Sequence, residues 1–153
     1  SQDFVDAAGA EIVKGTTNPV SSQVEGAESW ERFSKAYEAR FGEAPQPGFY
    51  QAETFAAGIL AALAAAAAGV NTGEGIDGQL VSVSREGEKV FSFADGVKAI
   101  AAGKDIDYDG ASGPVNFTDT GNVTVPATRI LVIDENGEWV STKTIDTSEY
   151  PAN

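Results

Sequence analysis

The chain has 153 residues and a formal net charge of −13 at pH 7, and it contains neither cysteine nor histidine. Its length suits one domain with a real core, and its acidity argues against a nucleic-acid partner, because phosphates bind to basic surfaces. The missing residue types exclude disulfides, thiolate metal sites, the common zinc sites and the nucleophile systems that depend on His, which leaves only carboxylate chemistry for an enzyme.

The first segment predicts a helix followed by a short strand. Residues 1–8 have a helical pattern that stops at Gly9, and residues 10–17 predict a strand around the apolar pair Ile12 and Val13. The sequence begins inside a helical pattern and contains no Met. We therefore expect the chain to be a piece of a longer polypeptide.

Two longer helices are predicted next. The first ends near Gly42 and carries an aromatic stripe at helical spacing, which predicts core packing: Trp30, Phe33, Tyr37 and Phe41. The second is predicted over residues 51–68, because alanine is the strongest helix former and Gly69 is a typical C-terminal stop. Its apolar positions include Phe55, and its apolar surface predicts neighbours on more than one side. It is too short and too rich in alanine for a good membrane span.

The second half predicts short helices, turns and strands. Asn71 or Thr72 is placed to cap a short helix, and residues 93–100 predict another. Residues 104–113 predict turns. Asn136 and the glycine that follows it indicate a hairpin that closes the chain. Helices that alternate with short strands indicate the α/β class.

Two groups of acidic residues invite a functional reading. Asp105, Asp107 and Asp109 alternate as in a calcium loop, but the other ligands of that loop are missing, so a solvated turn is predicted. Glu53 opens the alanine-rich helix, where a carboxylate stabilises the helix dipole. With Tyr50, Gln51 and Ala52 it also forms a cluster with the aromatic wall, amide and charge that a small polar ligand needs.

Several segments, taken in order, match a known pattern. They are AAGAEIVKGTT at residues 7–17, FSKAYEARFGEAPQPGFY at 33–50, VKAIAAGKDIDYDGASGPVNFTDTGNV at 97–123, and ILVIDENGEWV at 130–140. Together they resemble the C-terminal part of a type I periplasmic substrate-binding protein, in the branch of branched-chain amino acid receptors of ABC importers. Two positions depart from that pattern: Phe55-Ala56-Ala57 replaces the frequent Tyr-Asp-Ala, and Gly121-Asn122 replaces Gly-Asp.

The resemblance implies an α/β fold of two Rossmann-like, three-layer lobes, of which this chain is a C-terminal fragment. Residues 1–17 would end the second lobe, residues 18–127 would complete the first lobe, and residues 128–153 would return to the second. By the same resemblance Tyr50, Gln51, Ala52 and Glu53 are expected to contact the ligand, with Ser1 and Gln2 near the rim.

The function that the resemblance implies is binding of a small polar solute, an amino acid or an amide, by cleft closure. The expected location is the periplasm, or the cell exterior with a membrane anchor. The expected partners are the solute, the missing N-terminal part of the receptor and an importer permease, with no nucleic acid. Neither catalytic residues nor a metal or cofactor is expected. Two alternatives remain open: a sensor or regulator with the same fold, and a carboxylate-based hydrolase.

Overall fold

The computed structural model describes residues 2–21, 28–46, 50–123 and 127–146. These residues form six helices and six strands, which confirms the predicted α/β class. In chain order they are α1 (Gln2–Ala8), α2 (Ala10–Val13), β1 (Thr17–Ser21), α3 (Glu28–Phe41), α4 (Gln51–Ala68), α5 (Gly73–Leu80), β2 (Glu88–Val90), α6 (Phe93–Ala101), β3 (Ile106–Gly110), β4 (Gly113–Pro114), β5 (Ala127–Ile133) and β6 (Trp139–Asp146).

One sheet joins the two ends of the chain. Its strands are antiparallel in the order β1-β5-β6, and Ile133 of β5 pairs with Trp139 of β6. The short helices α1 and α2 cover this sheet, because Val5 and Val13 are buried in one cluster with Ile133. The predicted closing hairpin is confirmed, and Asp134 orders its turn by accepting hydrogen bonds from the backbone N–H groups of residues 136 and 138.

The predicted strand at residues 10–17 is wrong. Residues 10–13 form the helical turn α2, and the strand begins only at Thr17. Gly9 has a φ of +87°, so the chain can end α1 and start a new turn at once. The backbone N–H of Lys14 then donates to the carbonyl of Ala10 at 2.9 Å, as in a helix. Val13 is buried while Ile12 is 81% exposed, so the two apolar side chains do not pack into the same core.

The second sheet lies in the middle of the chain, in the order β2-β3-β4. Strands β2 and β3 are parallel, and β3 turns back into the short antiparallel strand β4. Ile106 and Tyr108 of β3 are buried in the main core together with α4 and α6. This core positions the beginning of α4 above the carboxyl end of β3.

The aspartates at 105, 107 and 109 do not form the predicted solvated turn. Asp107 and Asp109 belong to β3, and Asp107 is buried. Lys89, which pairs with Asp107 across β2 and β3, places its Nζ 2.9 Å from Asp107 Oδ2 and 3.0 Å from Asp109 Oδ1. Burial lowers the pKa of Lys89, but the hydrogen bonds and charges of the two aspartates outweigh it and raise the pKa above its usual value. The sequence pattern did not predict β3 because the segment reads as too acidic for a strand. Lys89 on β2 neutralises Asp107 and Asp109, and that pairing is not visible within the segment.

Helix α4 has the predicted bounds and is the centre of the main core. It contacts α5, α6 and β3, which confirms the prediction of neighbours on more than one side. Its buried positions are mostly small: Ala52, Ala56, Leu60, Leu63 and Ala64. Phe55 is not among them, because it is 48% exposed.

Among the described residues, α4 is also the one helix with the length and apolar composition of a membrane span. Length and composition alone are weak support for a span, because the core helices of water-soluble proteins share them. Only 28% of α4 is buried, so much of its apolar surface is uncovered. The prediction against a membrane span stays a prediction.

Candidate functional site at the start of helix α4

The residue before α4 has an unusual backbone. Tyr50 has a φ of 55° and a ψ of 23°, the left-handed region that residues other than glycine seldom adopt. Its carbonyl accepts hydrogen bonds from the Thr54 backbone N–H at 2.9 Å and from Thr54 Oγ1 at 2.7 Å. The Tyr50 side chain is 52% exposed, so it presents an aromatic surface at the N-terminal end of the helix. Such backbone conformations cluster at ligand sites.

Gln51 fixes the chain that leads into α4. Its Nε2 donates to the hydroxyl of Tyr37 at 3.0 Å, and its Oε1 accepts from the backbone N–H of Gln46 at 2.8 Å. The amide therefore joins α3, the connecting segment and α4. The structure gives Gln51 a positioning role, and its predicted contact with a ligand stays a prediction.

Ala52 lies beneath this entrance rather than on its surface. It is buried with Phe33 and Ala111, and Trp30 and Tyr37 pack against this cluster, which confirms the predicted core role for these three aromatic residues of α3. The prediction is wrong for Phe41, which is 62% exposed. Phe33 also lies 5.2 Å from the ring of Phe55, measured between centroids. A small residue at position 52 lets α3 and the segment after β3 approach α4 closely.

Glu53 lines a cavity of about 440 Å³ between α4, α5 and the segment after β3. We call this cavity the α4–α5 groove. Its walls are Ser21, Glu53, Ala57, Leu60, Ala61, Ile76, Leu80, Ser112, Pro114, Val115, Phe117 and Val123. Three of the twelve residues are polar. Glu53 is half-buried in this wall, so its side chain lies beside the apolar lining as well as beside solvent.

Ser112 is a residue of this groove that the sequence interpretation missed. The sequence predicts only turns over residues 104–113, whereas Ser112 is 7% exposed and its Oγ has no hydrogen-bond partner among the described residues. Buried hydroxyls without a partner are rare in folded proteins. The segment that carries it lies within the stretch that most resembles the receptor family, which was the one available signal.

The structure describes only the backbone of one of the two predicted rim residues. Ser1 lies outside the described residues. Gln2 is the first residue of α1, and α1 packs into the cluster around Ile133. The ligand contacts predicted for Ser1 and Gln2 therefore remain predictions.

The start of α4 offers complementary groups for a small zwitterion or amide. Among the described residues, Tyr50 at the N-cap position makes no side-chain hydrogen bond to the first turn. The backbone N–H groups of that turn and the positive end of the helix dipole favour an anionic or carbonyl group. Glu53 in the same turn favours a cation or an N–H donor. Tyr50 adds an exposed ring. Among the described residues, no group of three or more acidic side chains is arranged to hold a metal ion.

Comparison with solved structures gives a clear match to this architecture. The leucine binding protein LivK from Thermotoga maritima superposes with a TM-score of 0.67 and 16% identity, over 97% of this chain and 35% of that one. The branched-chain amino acid transporter substrate binding protein LivJ from Streptococcus pneumoniae, in complex with isoleucine, gives 0.61 and 19%, over 95% and 34%. The fold is that of a segment of a type I periplasmic binding protein. No protein-family model matches the chain, and no curated protein matches it in sequence.

The match confirms the fold that the sequence resemblance implied. The chain spans about a third of the length of these two structures. Both are named as binding proteins, and neither is named as an enzyme. The assignment of residues 1–17, 18–127 and 128–153 to alternate lobes stays a prediction.

Proposed function

We propose that this chain is part of an extracytoplasmic solute receptor of an ABC importer, which binds a small polar solute by cleft closure. The observation that carries the proposal is the likeness to two amino acid binding proteins over nearly the whole chain. Because folds host many functions, the start of α4 has to supply the specific argument. Its backbone N–H groups, the Glu53 carboxylate and the Tyr50 ring suit the two charged ends and the body of an amino acid.

The proposal includes the partners of such a receptor. The remainder of the receptor polypeptide would supply the other wall of the cleft, and a membrane permease would receive the closed receptor. The location would be the periplasm, or the cell exterior with a membrane anchor. A binding role needs no catalytic group or cofactor, because the receptor acts by closing around the ligand and not by converting it.

The direct test measures solute binding by the receptor that contains this chain. A panel of amino acids and their amides would be screened by thermal shift and then by calorimetry. Glu53→Gln and Tyr50→Ala should each weaken binding by about tenfold or more, which corresponds to the loss of one charged or aromatic contact of about 1.4 kcal/mol. Glu31→Gln is the matched control, because Glu31 is an exposed acid in the first turn of α3.

The outcomes separate a solute receptor from a carboxylate hydrolase. Binding of a solute that is recovered unchanged supports a receptor, whereas turnover that requires Glu53 supports the carboxylate hydrolase. Binding that is unaffected by Glu53→Gln and Tyr50→Ala would overturn the site. A panel in which no solute binds to the receptor would overturn the proposed function.

A further inference from the structure

The outer edge of β2 is a feature that solute binding does not explain. β2 lies at one end of the sheet β2-β3-β4, and no strand pairs with its other side among the described residues. The backbone N–H of Glu88 donates to the carbonyl of Asp105 at 2.9 Å, on the side of β3. Because the backbone groups of successive strand residues point to opposite sides, the N–H and C=O of Lys89 point outward. An open strand edge of this kind is a template for pairing with another strand.

The lysine of β2 does not protect this edge. Proteins often guard an edge strand with the charged side chain of a lysine. Lys89 is the central residue of β2, but its ammonium lies 2.9 Å from Asp107 Oδ2 and 3.0 Å from Asp109 Oδ1, both on β3. The side chain is therefore held over the sheet and away from the outer edge. The backbone groups of Lys89 stay accessible to a pairing strand.

A cavity of about 310 Å³ lies beside this edge, between β2 and α6. We call it the β2–α6 groove. Its lining consists of residues 88–91, of Asp95, Lys98 and Ala99 from α6, of Ala102 at the C-terminal cap of α6, and of Lys104. The four residues from α6 and its cap follow helical spacing, so they form one face of the helix. Ala99 and Ala102 are small, which lets a second helix approach this face closely.

The groove differs in charge from the protein as a whole. The chain has 10 basic and 23 acidic residues and a net charge of −13, so two copies repel each other over most of their surface. The groove is lined by three lysines and two acids. Lys104 pairs with Glu88 at 2.6 Å, and Asp95 accepts from Ser92 Oγ at 2.7 Å. Lys98 is exposed and has no ion pair within the described part of the chain, so its charge is available to an acid from outside.

A second copy of this chain suits all of these features. A two-fold axis at the β2 edge would pair the two β2 strands antiparallel, and the two Lys89 residues would exchange both backbone hydrogen bonds. The two α6 helices would then lie side by side and antiparallel, which brings Asp95 of each copy toward Lys98 of the other. Two exposed aromatic side chains add apolar area to this surface: Phe91 is 45% and Phe93 is 42% exposed. A small anion would use Lys98 alone and leave the strand edge open.

We propose that the β2–α6 groove is the interface of a two-fold symmetric homodimer. In this dimer β2 pairs with β2 of a second copy, and Asp95 binds Lys98 across the interface. The proposal goes beyond solute binding and does not depend on which solute is bound. The paired strand is only three residues long. The interface is therefore small and reversible, with an expected dissociation constant of roughly 10–100 µM.

Sedimentation equilibrium on the full product of the gene tests the proposal. Between about 2 and 500 µM, the mean particle mass should rise from that of one polypeptide toward that of two. Lys98→Asp places like charges opposite each other twice, so it should raise the dissociation constant about tenfold or more. Lys35→Asp is the matched control, because Lys35 is an exposed lysine of α3 and the substitution changes the net charge equally. We expect this control to leave the dissociation constant within about threefold of its original value.

A charge exchange guards against a variant that simply fails to fold. Asp95→Lys alone should also weaken the dimer, and circular dichroism would report any loss of the α6 cap to which Asp95 contributes. The double substitution of Asp95→Lys with Lys98→Asp restores opposite charges across the interface, so it should recover most of the dimer. A role of these two residues in folding alone would not produce this recovery.

Three outcomes would overturn the proposal. A product that stays monomeric at the highest concentration would show that the β2 edge does not pair with itself. A dimer that Lys98→Asp and Lys35→Asp weaken equally, or that the double substitution fails to recover, would assign the interface to another surface. A different polypeptide that co-purifies with the product and is released by Lys98→Asp would assign the groove to that partner.

Discussion

The hydroxyl of Ser84 holds the backbone of Phe117 in place from a position 33 residues earlier in the chain. Ser84 Oγ accepts from the Phe117 N–H at 3.0 Å and donates to the carbonyl of Val81 at 3.1 Å. Ser84 is completely buried, and Phe117 lines the α4–α5 groove. One buried serine therefore connects the end of the α5 region to the outer wall of the groove.

Ser84→Ala should lower the free energy of unfolding by about 1–3 kcal/mol, because it leaves the Phe117 N–H without its partner. Urea denaturation would measure the loss, and amide exchange at Phe117 should accelerate. Ser82→Ala is the control, since Ser82 is exposed and, among the described residues, its hydroxyl bonds only to Gln79. We expect its effect to stay within about 0.5 kcal/mol. Equal effects of the two substitutions would contradict the role given to Ser84.

The sequence correctly predicts helices whose boundaries are marked by residues within the segment itself, such as a cap or a stop residue. The bounds of α4 follow from its alanines and Gly69, and α5 has the predicted cap, in which Thr72 Oγ1 accepts from the N–H of Gly75 at 3.2 Å. The sequence does not predict β3, because Lys89 from another strand compensates the charge of Asp107. Long-range pairing of this kind leaves no periodic signal within the segment itself.

Close contact between α4 and α6 depends on Gly96. A Cβ at this position would lie 2.4 Å from Leu63 Cδ2, and Leu63 is completely buried. We therefore expect Gly96→Ala to destabilise the protein by about 1–2 kcal/mol, since overpacking in a core outweighs the gain in helix propensity. Thermal and urea unfolding would both report the change.

Gly58→Ala provides the opposite case on α4. A Cβ at this exposed helical position meets no described atom within 4 Å, so the substitution should stabilise by about 0.5–1 kcal/mol in the isolated chain. If Gly96→Ala stabilised the chain as much as Gly58→Ala, the close packing of α6 against Leu63 would be wrong.

The hydrogen bond between Gln51 and Tyr37 should be measurable by a double-mutant cycle. Gln51→Leu removes the bonds to Tyr37 and to the Gln46 backbone, whereas Tyr37→Phe removes only the first. We expect Gln51→Leu to be the more destabilising, with a coupling energy between the two sites of about 0.5–1.5 kcal/mol. A coupling energy near zero would show that the amide does not bind Tyr37 in solution.

The sequence predicts that Glu53 and Tyr50 lie at the start of a helix, and the structure has them there. Their contact with a ligand stays a prediction. The buried state of Ser112 could not be predicted, because it depends on how the segment after β3 packs against α4 and α5. The positioning role of Gln51 likewise required knowledge that α3 lies beside α4.

Alkaline pH should destabilise the protein through Tyr108 and Lys89. Burial raises the pKa of Tyr108 to about 12, and the partners of Lys89 also raise its pKa. Both folded-state pKa values lie above the unfolded ones, so each contribution to stability is complete below about pH 10 and is lost as the pH rises through the folded value. For Tyr108 the loss between about pH 10 and 12 amounts to about 2–3 kcal/mol.

Tyr108→Phe separates the two contributions. It removes the phenol that must ionise, so the free energy of unfolding should fall less steeply between about pH 10 and 12 than in the unaltered chain. The slope that remains includes the contribution of Lys89, whose salt bridges with Asp107 and Asp109 are unaffected by the substitution. Urea unfolding at a series of pH values measures both slopes, and an unchanged slope in Tyr108→Phe would show that ionisation of the buried phenol does not limit alkaline stability.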